Sequence, residues 1–424
     1  MRFKTLFAVC ALFGSLFQSS PSLSETLRTA WLGEHEAFLT WYAKEKGWDK
    51  EAGLDIIMLR FDSGKSLIEN VRAYDWAIAG CGAVPAMQAT MSDQVEVIAI
   101  ANDESSANMI LTRPDSPILA EKGFNPDFPN VFGTPESVKG KLILCPKKTS
   151  ARYLLDKWLA ALGLEEKDVK IEELEPTPAL GAFKNGYGDI LAVWSPFTRE
   201  AETLGFKVAA HSQDCGATQP VLLVADRAFT EKNPDAVRAF LKVYLRVVDE
   251  IKAQGPETLA PAYVRFAEAW MGKKFSEADA IAELREHPVF SLEEQLALFG
   301  EDGESPLKAW LAEIAAFSEK MNPDTAHRHA TPEAVSDRFL KALKSSSEDM
   351  GRRLLRRFRR GLSDAAIPFH PAFRRFYPEP CETATETQWG LPLSRYTSVK
   401  TPPTLVQGRE ACSCVGLNGK TFPV

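Results

Sequence analysis

Short aliphatic runs alternate with helical patterns through most of this 424-residue chain. The run "LDIIMLRF" has the length and composition of a β-strand, whereas "HEAFLTWYAKEKGW" repeats apolar residues at helical spacing. Strands and helices that alternate through short turns build parallel βαβ units. The chain therefore predicts an α/β fold with open, parallel-type sheets, and it is long enough to form two lobes.

The alternation pauses once, and the pause predicts where the lobes divide. A segment rich in Pro, Asp and Asn at 113–133 carries neither pattern, and strand–helix units stand on both sides of it. We expect 25–108 to form the first part of lobe 1, and 109–211 to form lobe 2 together with the connecting loop 113–133. Residues 212–344 then return to lobe 1 with one strand and continue as C-terminal helices.

Two strand-to-helix corners with the same pattern predict a ligand cleft between the lobes. The segments "YDWAIAGCGAVPAMQA" and "YGDILAVWSPFTREA" each contain an Asp, an apolar strand, a few small or polar residues, a Pro and a helix. Ligands of open parallel sheets bind beyond the carboxyl ends of the strands, where helix N-termini offer unpaired N–H groups. Lobes joined by crossing segments near 105–113 and 211–219 would close on a ligand like a hinge.

The residues at these corners are candidate ligand-binding residues. In lobe 1, Gly80, Gly82 and Ala83 keep side-chain volume small beside the cleft, although glycine there would also serve a tight turn. In lobe 2, Trp194 offers a broad wall and Ser195 a hydroxyl group, although Trp194 would also be ordinary as a core residue. We assign no catalytic residue to either corner.

Charged residues near the predicted cleft suggest what kind of ligand it takes. Lys148, Thr149 and Ser150 begin a helix whose partly positive N-terminus favours an anionic group such as a sulfonate. The alternative is that Thr149 is only an N-cap and the lysine is solvated. Glu34, His35 and Glu36 follow the first strand, and Asp103 and Glu104 follow the fourth. Most charges in such loops are solvated, but a carboxylate that faces the cleft there would favour a cationic end. A zwitterion such as taurine would satisfy both walls.

The two ends of the chain differ from its body. Residues 1–24 combine a basic start, an apolar run and a polar exit, the pattern of a cleavable signal peptide for export to the periplasm. Residues 345–424 are rich in Pro and hold 12 Lys and Arg against 7 Asp and Glu. We predict that the helical pattern stops near Ser345. The tail is then a basic arm for an anionic surface, a disordered appendage or the product of a shifted reading frame.

Sequence motifs predict neither an enzyme nor a metal site. The chain has no G-x-S-x-G, H-E-x-x-H or Walker sequence. The pair His327 and His329 lies in a predicted loop with no further Cys or His nearby in sequence, so we predict no metal and no cofactor. The body holds Cys81, Cys145 and Cys215, an odd number, which leaves a Cys81–Cys215 bridge open but excludes a complete disulfide framework.

Three longer motifs follow one another in the chain: "DWAIAGCGAVPAMQATMSDQVEVIAIA", "ESVKGKLILCPKKTSARYLLDKWL" and "FKNGYGDILAVWSPF". In this order they resemble the periplasmic binding proteins of the nitrate, sulfonate and taurine type, which serve ABC importers. The likeness runs from about Thr26 to Lys344. The chain departs from the family at Lys148, where the family usually has the Gly that lets backbone and ligand approach closely.

The resemblance implies a fold, a function and partners. It implies a two-lobed, type II-like periplasmic binding protein that captures a small organic anion or zwitterion resembling a sulfonate, taurine or nitrate. Its partners would be the permease and ATPase subunits of an ABC importer in the inner membrane, with no nucleic acid, and the protein would be a monomer. Two alternatives stay open, namely an enzyme similar to the thiamine-pyrimidine synthases and the ligand-binding subunit of a sensor.

Overall fold

Two five-stranded sheets form the framework of the protein in a computed structural model, which describes residues 25–91, 94–300, 304–321 and 334–364. The predicted signal peptide, the pair His327 and His329, and the tail beyond Asp364 lie outside the described residues. Within the described ranges, every helix is too short or too polar to cross a membrane.

The described strands are β1 Glu25–Trp31, β2 Leu54–Arg60, β3 Ile78–Gly82, β4 Val95–Asp103, β5 Asn108–Thr112, β6 Leu142–Leu144, β7 Lys170–Glu172, β8 Ile190–Trp194, β9 Lys207–His211 and β10 Pro220–Asp226. The described α-helices are α1 His35–Glu45, α2 Trp48–Glu51, α3 Gly64–Glu69, α4 Val71–Tyr74, α5 Ala83–Thr90, α6 Pro135–Val138, α7 Ser150–Ala161, α8 Pro176–Lys184, α9 Phe197–Thr203, α10 Arg227–Lys232, α11 Pro234–Gln254, α12 Pro256–Phe266, α13 Glu277–Glu286, α14 Leu292–Phe299, α15 Pro306–Met321 and α16 Arg338–Asp364.

Each sheet is mixed, and the antiparallel strands are those that leave the cleft. The sheet of lobe 1 has the order β2-β1-β3-β10-β4, and that of lobe 2 has the order β7-β6-β8-β5-β9. Strand β10 is antiparallel to β3 and β4, and β5 is antiparallel to β8 and β9. Each follows a crossing from the other lobe, so it enters its sheet at the cleft and runs away from it. The predicted parallel direction therefore holds for the remaining strands, which end at the cleft.

The core of each lobe lies between its sheet and the helices that cover it. All five residues of β3 are buried, and so are all five of β8, because helices pack on both faces of each sheet. A large apolar cluster in lobe 1 joins Trp31, Phe38 and Phe240, and a separate cluster in lobe 2 surrounds Trp158. The two strand-to-helix corners are thereby held on rigid supports.

The C-terminal helices pack mainly on lobe 1. Helix α11 packs against α1, and α15 packs against α5. Val335 forms a parallel bridge with Val97 of β4, and the amide of Ser336 donates to the Val97 carbonyl at 3.0 Å, which brings the chain back to the sheet before α16.

Helix α16 corrects the prediction that the helical pattern stops near Ser345, because it runs from Arg338 to Asp364. The serines continue the helix by donating to carbonyls one turn earlier, from Ser345 Oγ to Lys341 at 3.0 Å and from Ser346 Oγ to Ala342 at 2.8 Å. Ion pairs at i,i+4 spacing, such as Arg353–Asp349 at 2.8 Å, then support the next turn. The predicted boundary at residues 344 and 345 falls inside this helix.

Candidate functional site

The wall of lobe 1 begins where β1 passes into α1. Glu34 occupies the N-cap position of α1, but its side chain makes no capping hydrogen bond. Its carboxylate instead accepts a hydrogen bond from Trp194 Nε1, the indole N–H of the other lobe. The residue is buried, so this contact between the lobes is shielded from water.

Trp194 lies at the lobe contact and in the core at the same time. It ends β8, its ring belongs to the apolar cluster of lobe 2, and only 4% of the residue is exposed. The ring lies edge-on to Phe197 with centroids 6.2 Å apart, while its N–H leaves the cluster to reach Glu34. The burial of the ring agrees with the core reading of Trp194, and its role as a wall of the cleft stays a prediction.

The glycines of β3 permit close packing. A Cβ atom on Gly80 would lie 2.7 Å from the Trp31 ring and 2.8 Å from Glu36 Cγ, distances that no real side chain adopts. A Cβ on Gly82 would lie 3.1 Å from Glu104 Oε1 and 3.7 Å from Ser150 Oγ. Gly82 therefore lies where lobe 1, the crossing segment and α7 of lobe 2 meet, and the buried Ala83 begins α5 beside it.

Three carboxyl groups share this buried region and interact electrostatically. Burial raises the pKa of Glu36 to about 8 and that of Glu104 to about 7. Burial also raises the pKa of Glu34 well above its usual range, and the neighbouring Glu36 and Glu104 carboxylates raise it further. Contacts from Ser150 and Asn108 offset part of the rise for Glu104. We call Glu34, Glu36 and Glu104 the carboxylate cluster.

His35 lies apart from the carboxylate cluster, in a stack of rings. Its imidazole stacks on His287 with centroids 4.9 Å apart and on Tyr263 at 5.7 Å. Burial lowers the pKa of His35 well below its usual range, and the neighbouring His287 contributes to the same shift. Both ring nitrogens lack a hydrogen-bond partner among the described residues. The two adjacent predicted site residues, Glu34 and His35, thus belong to different environments.

The start of α7 is capped from within lobe 2. Thr149 Oγ1 accepts from the Arg152 amide at 3.4 Å and donates to the Pro146 carbonyl at 2.9 Å, so its hydroxyl serves the N-cap that the alternative reading expected. Lys148 adopts a φ of 57°, the left-handed conformation that favours Gly. It has no ion-pair partner within the described ranges, whereas Lys147 pairs with Glu173 at 3.0 Å.

Ser195 marks a second contact between the lobes. Its hydroxyl donates to a carboxylate oxygen of Glu283 on α13, and Arg199 Nε lies 3.3 Å from the same oxygen. Arg199 also pairs with Glu286 through its other guanidinium nitrogen. Glu283 is 1% exposed, so Ser195 and Arg199 together satisfy an otherwise costly buried charge.

An open cavity remains between the lobes, beside these buried contacts. It has a volume of about 470 Å³ and is lined by residues of both lobes, with Glu34 at one side. Charges of both signs line it, including Arg60, Asp62, Lys184 and Lys273. A volume of this size suits a small organic molecule. Among the described residues, no group of three or more His, Cys, Asp or Glu is arranged to hold a metal ion.

Comparison with known proteins identifies the family. The family model described as NMT1-like matches residues 24–260, more than half of the chain. The chain belongs to the NMT1-like family. Over 249 residues this NMT1-like protein is 28% identical to a Brachyspira hyodysenteriae protein named as an ABC transporter periplasmic binding protein, covering 58% of this chain and 70% of that one. It is 32% identical over 213 residues to a Bacillus subtilis protein named as an aliphatic sulfonates-binding protein, covering 49% and 60%.

A solved structure gives the same fold. The alkanesulfonate-binding protein SsuA from Xanthomonas axonopodis pv. citri, bound to MOPS, matches this NMT1-like protein with a TM-score of 0.54 and 18% identity. The match covers 73% of this chain and 98% of that one. The two mixed sheets therefore form the two-lobed fold of periplasmic binding proteins, as the sequence predicted.

Sequence reasoning chose part of this site and missed the rest. The structure brings Glu34, Gly82, Ser150 and Trp194 of the NMT1-like protein to one buried region, and it places Gly80 behind them. Glu283 was not among the predicted site residues, whereas Glu36 and Glu104 were noted as charges after the first and fourth strands, where a ligand would lie, without being chosen as site residues. Glu283 lies within a helix far along the chain, and nothing local in the sequence indicates its contact with Ser195.

Proposed function

We propose that the protein is the substrate-binding component of an ABC uptake system, which captures a small polar organic molecule by closing its two lobes. The observation that carries this proposal is the hydrogen bond from Trp194 to Glu34, which joins buried polar groups of both lobes beside the cavity. Buried polar groups are nearly always hydrogen-bonded, and here each lobe supplies the partner of the other. The relatives named as binding proteins of ABC transporters support the same function.

Closure would turn about the two segments that join the sheets. The amide of Glu104, after β4, donates to the Gln219 carbonyl at 2.9 Å, and the Gln219 amide donates to Ser105 Oγ at 2.8 Å. Gln219 Nε2 also donates to the carbonyl of Ser150, the first residue of α7, at 3.1 Å. The crossing segments thus form one hydrogen-bonded base, around which the lobes can rotate as rigid bodies.

The ligand that fits best is a small sulfonate or a zwitterion such as taurine. Lys148 and the start of α7 supply positive potential for an anionic group, and Glu34 supplies a carboxylate on the opposite wall. The relative named for aliphatic sulfonates supports the sulfonate. The ligand-binding roles of Glu34, His35, Gly80, Gly82, Ala83, Lys148, Thr149, Ser150, Trp194 and Ser195 remain our predictions.

Location and partners follow from the proposed function. We expect a monomer in the periplasm, exported by a cleavable signal peptide at 1–24, that delivers its ligand to a permease and an ATPase in the inner membrane. Binding and release would then be the whole task, with no catalytic step. Lobe closure would give the permease a surface that differs between the loaded and the empty protein.

A ligand screen tests the proposal. The mature protein would be heated with sulfonates, taurine, nitrate, amino acids or pyrimidines, each in excess. A ligand at about 100 times its dissociation constant stabilises the folded protein by about 2.7 kcal/mol, which a thermal shift detects. Binding confirmed by calorimetry would support the proposed function, and a screen in which no compound binds would contradict it.

A further inference from the structure

Several acceptor oxygens at the base of the cleft have no donor. Glu36 Oε1, Glu104 Oε1 and Asn108 Oδ1 are each buried without a hydrogen-bond partner among the described residues. Buried polar atoms in native proteins are nearly always paired, so a group of unpaired acceptors indicates a missing donor. Glu104 lies beside Gly82 and Ser150, Asn108 contacts Glu104, and Glu36 packs beside Gly80, two residues before Gly82 on β3.

Asn108 gives an indication that does not depend on the acidic residues. It begins β5, none of its surface is exposed, and its Nδ2 donates to the Glu104 carbonyl at 3.2 Å. A contact with the Glu104 carboxylate also lowers the pKa of that group. With its N–H group directed at Glu104, Asn108 leaves its Oδ1 beside the carboxylate as a further acceptor. A neutral amide and a carboxylate thus offer oxygens to the same place.

The charges around this place are negative. The groups that raise the pKa values of the carboxylate cluster are other carboxyl groups, namely its own members together with Asp103 and Glu283. Of the basic residues in α7 and its preceding turn, Lys147 pairs with Glu173 and Arg152 pairs with Glu166 at 2.6 Å through Nη2, while Arg152 Nη1 and Lys148 have no partner among the described residues. Buried carboxylates without a cation are costly, and a bound cation would offset that cost.

We infer that the base of the cleft binds a cationic group of the ligand, a primary ammonium or an amidinium, through Glu36, Glu104 and the amide oxygen of Asn108. This inference rests on the proposed function and narrows its ligand class to molecules that carry such a group. An ammonium has three N–H donors and no acceptor, which matches the three unpaired oxygens. A sulfonate or nitrate without an amine leaves these oxygens unpaired.

Proton release gives the inference a second readout. Without ligand, Glu36 and Glu104 hold protons in part near neutral pH, because burial raises the pKa of the former to about 8 and of the latter to about 7. A bound cation favours their ionised forms, so binding releases protons and affinity rises with pH in this range. An anion at the same place would take up protons and bind more weakly as pH rises. The titratable groups that face the cluster from other elements are Cys81, Asp103, Tyr244, Tyr263 and Glu283.

Matched pairs of probes test the inference on the mature protein. Taurine would be compared with ethanesulfonate, β-alanine with propionate, and propylamine with propanol, each by calorimetry in buffers of low and high ionisation enthalpy. We expect the amine of each pair to bind about thirtyfold or more tightly, the scale of one buried charge partner, with release of protons. Affinity for the amine should rise between about pH 6 and about pH 8.

Two variants and a control assign the effect to these residues. Glu104→Gln keeps the shape of the side chain and removes its charge, and Glu36→Gln does the same from α1. Both should lower the affinity for the amine and leave that for its partner unchanged. Glu165→Gln changes an exposed carboxylate paired with Lys167 in lobe 2, so it should bind like the wild type. A melting temperature for each variant shows that it is folded.

The outcomes separate this inference from the function on which it rests. Ethanesulfonate or propionate bound as tightly as its amine partner would overturn the inference and leave the binding function standing. Proton uptake when the amine binds would also overturn the inference and leave the binding function standing. So would a folded Glu104→Gln protein that binds the amine with wild-type affinity. A protein that binds no probe of these pairs and no compound of the wider screen would overturn both.

Discussion

The burial of Glu36 lowers the stability of this protein at neutral pH. The Glu36 side chain packs beside Gly80 with only 1% of the residue exposed, and burial raises its pKa to about 8. The folded protein therefore binds a proton that the unfolded chain releases near pH 4.5, the ordinary value for this group. Such groups destabilise a fold at neutral pH and are concentrated at functional sites.

This raised pKa predicts how stability changes with pH. Because the folded state holds the proton more tightly, the free energy of unfolding should fall as pH rises from about 5 to about 8, by a few kcal/mol for Glu36 alone. Glu36→Gln should remove that part of the dependence and be the more stable protein at about pH 8. Urea unfolding of both proteins across this range measures it. If the free energy of unfolding changed with pH equally in the two proteins, the pKa of Glu36 would be the same in the folded and unfolded states.

The Trp194 indole N–H carries the second prediction at this scale. Trp194→Phe keeps a ring in the cluster of lobe 2 but removes the donor to Glu34, so it should weaken ligand binding by about 1–3 kcal/mol while the protein stays folded. Trp158→Phe is the matched control, since its Nε1 donates to the Phe132 carbonyl within lobe 2 at 3.2 Å. Calorimetry compares the two. Equal affinities in both variants would confine Trp194 to a role in the core.

Lys148 shows what a sequence reveals and withholds at one position. The sequence marked this position as a departure from the Gly of the resembled family, and its φ of 57° is one that Gly adopts without strain. The hydrogen bond between Glu34 and Trp194, by contrast, joins residues 160 positions apart. Contacts of that kind depend on how the lobes meet, which no local pattern encodes.

At the scale of elements, the sequence predicted what is decided locally. The capping boxes at Thr134 and Ser291 are local in this sense, because the side chains that form each of them lie within one turn. The direction of β5 and β10 was beyond a local reading, since it depends on which end of the strand meets the cleft. The prediction for α16 was wrong because the serines do not end the helix: their hydroxyls donate to carbonyls one turn earlier, and ion pairs at i,i+4 spacing support the turns that follow.

Helix α15 links the two lobes from outside the hinge. It packs on α5 of lobe 1, while its Glu313 accepts from Lys157 on α7 at 2.8 Å and its Phe317 ring lies 5.2 Å from that of Tyr153. Lys320 of α15 also forms an ion pair with Asp156 of α7 at 2.7 Å. These contacts join α15 to both lobes, so opening the cleft has to break them.

We therefore expect the contacts of α15 to favour the closed form. Glu313→Ala removes an exposed pair, worth about 0.2–1 kcal/mol, so the ligand-free protein should shift modestly towards the open form and bind its ligand up to about fivefold more weakly. The control Glu165→Ala breaks a surface pair within lobe 2. Small-angle scattering and calorimetry would record the two effects. Identical profiles for wild type and Glu313→Ala would show that α15 does not influence closure.

For the whole molecule, the first question is how much of the chain the fold requires. Phe339 and Leu340, at the start of α16, are buried in the core of lobe 1, whereas residues 345–348 of the same helix are exposed. A chain that ends after Lys344 should therefore keep the melting temperature and ligand affinity of the full chain. One that ends after Asp337 should lose several kcal/mol, because two large apolar side chains leave the core. If the chain that ends after Lys344 fails to bind the ligand, the rest of α16 is required for function.

The last prediction concerns the motion of the lobes. In the described conformation the lobes meet through Glu34, Trp194, Ser195 and Glu283, which are buried between them. A ligand can enter the base of the cleft only if these contacts open, so the free protein must populate an open form, and a ligand that contacts both walls shifts it to the closed one. The radius of gyration from small-angle scattering should therefore fall when a ligand from the screen saturates the protein.

Trp194→Phe keeps a ring but loses the hydrogen bond to Glu34, so it should show a larger radius of gyration at the same ligand concentration. Its radius should reach the wild-type value at a higher ligand concentration. A radius that stays constant while calorimetry proves binding would mean that the lobes are fixed and that the ligand enters through the open cavity alone.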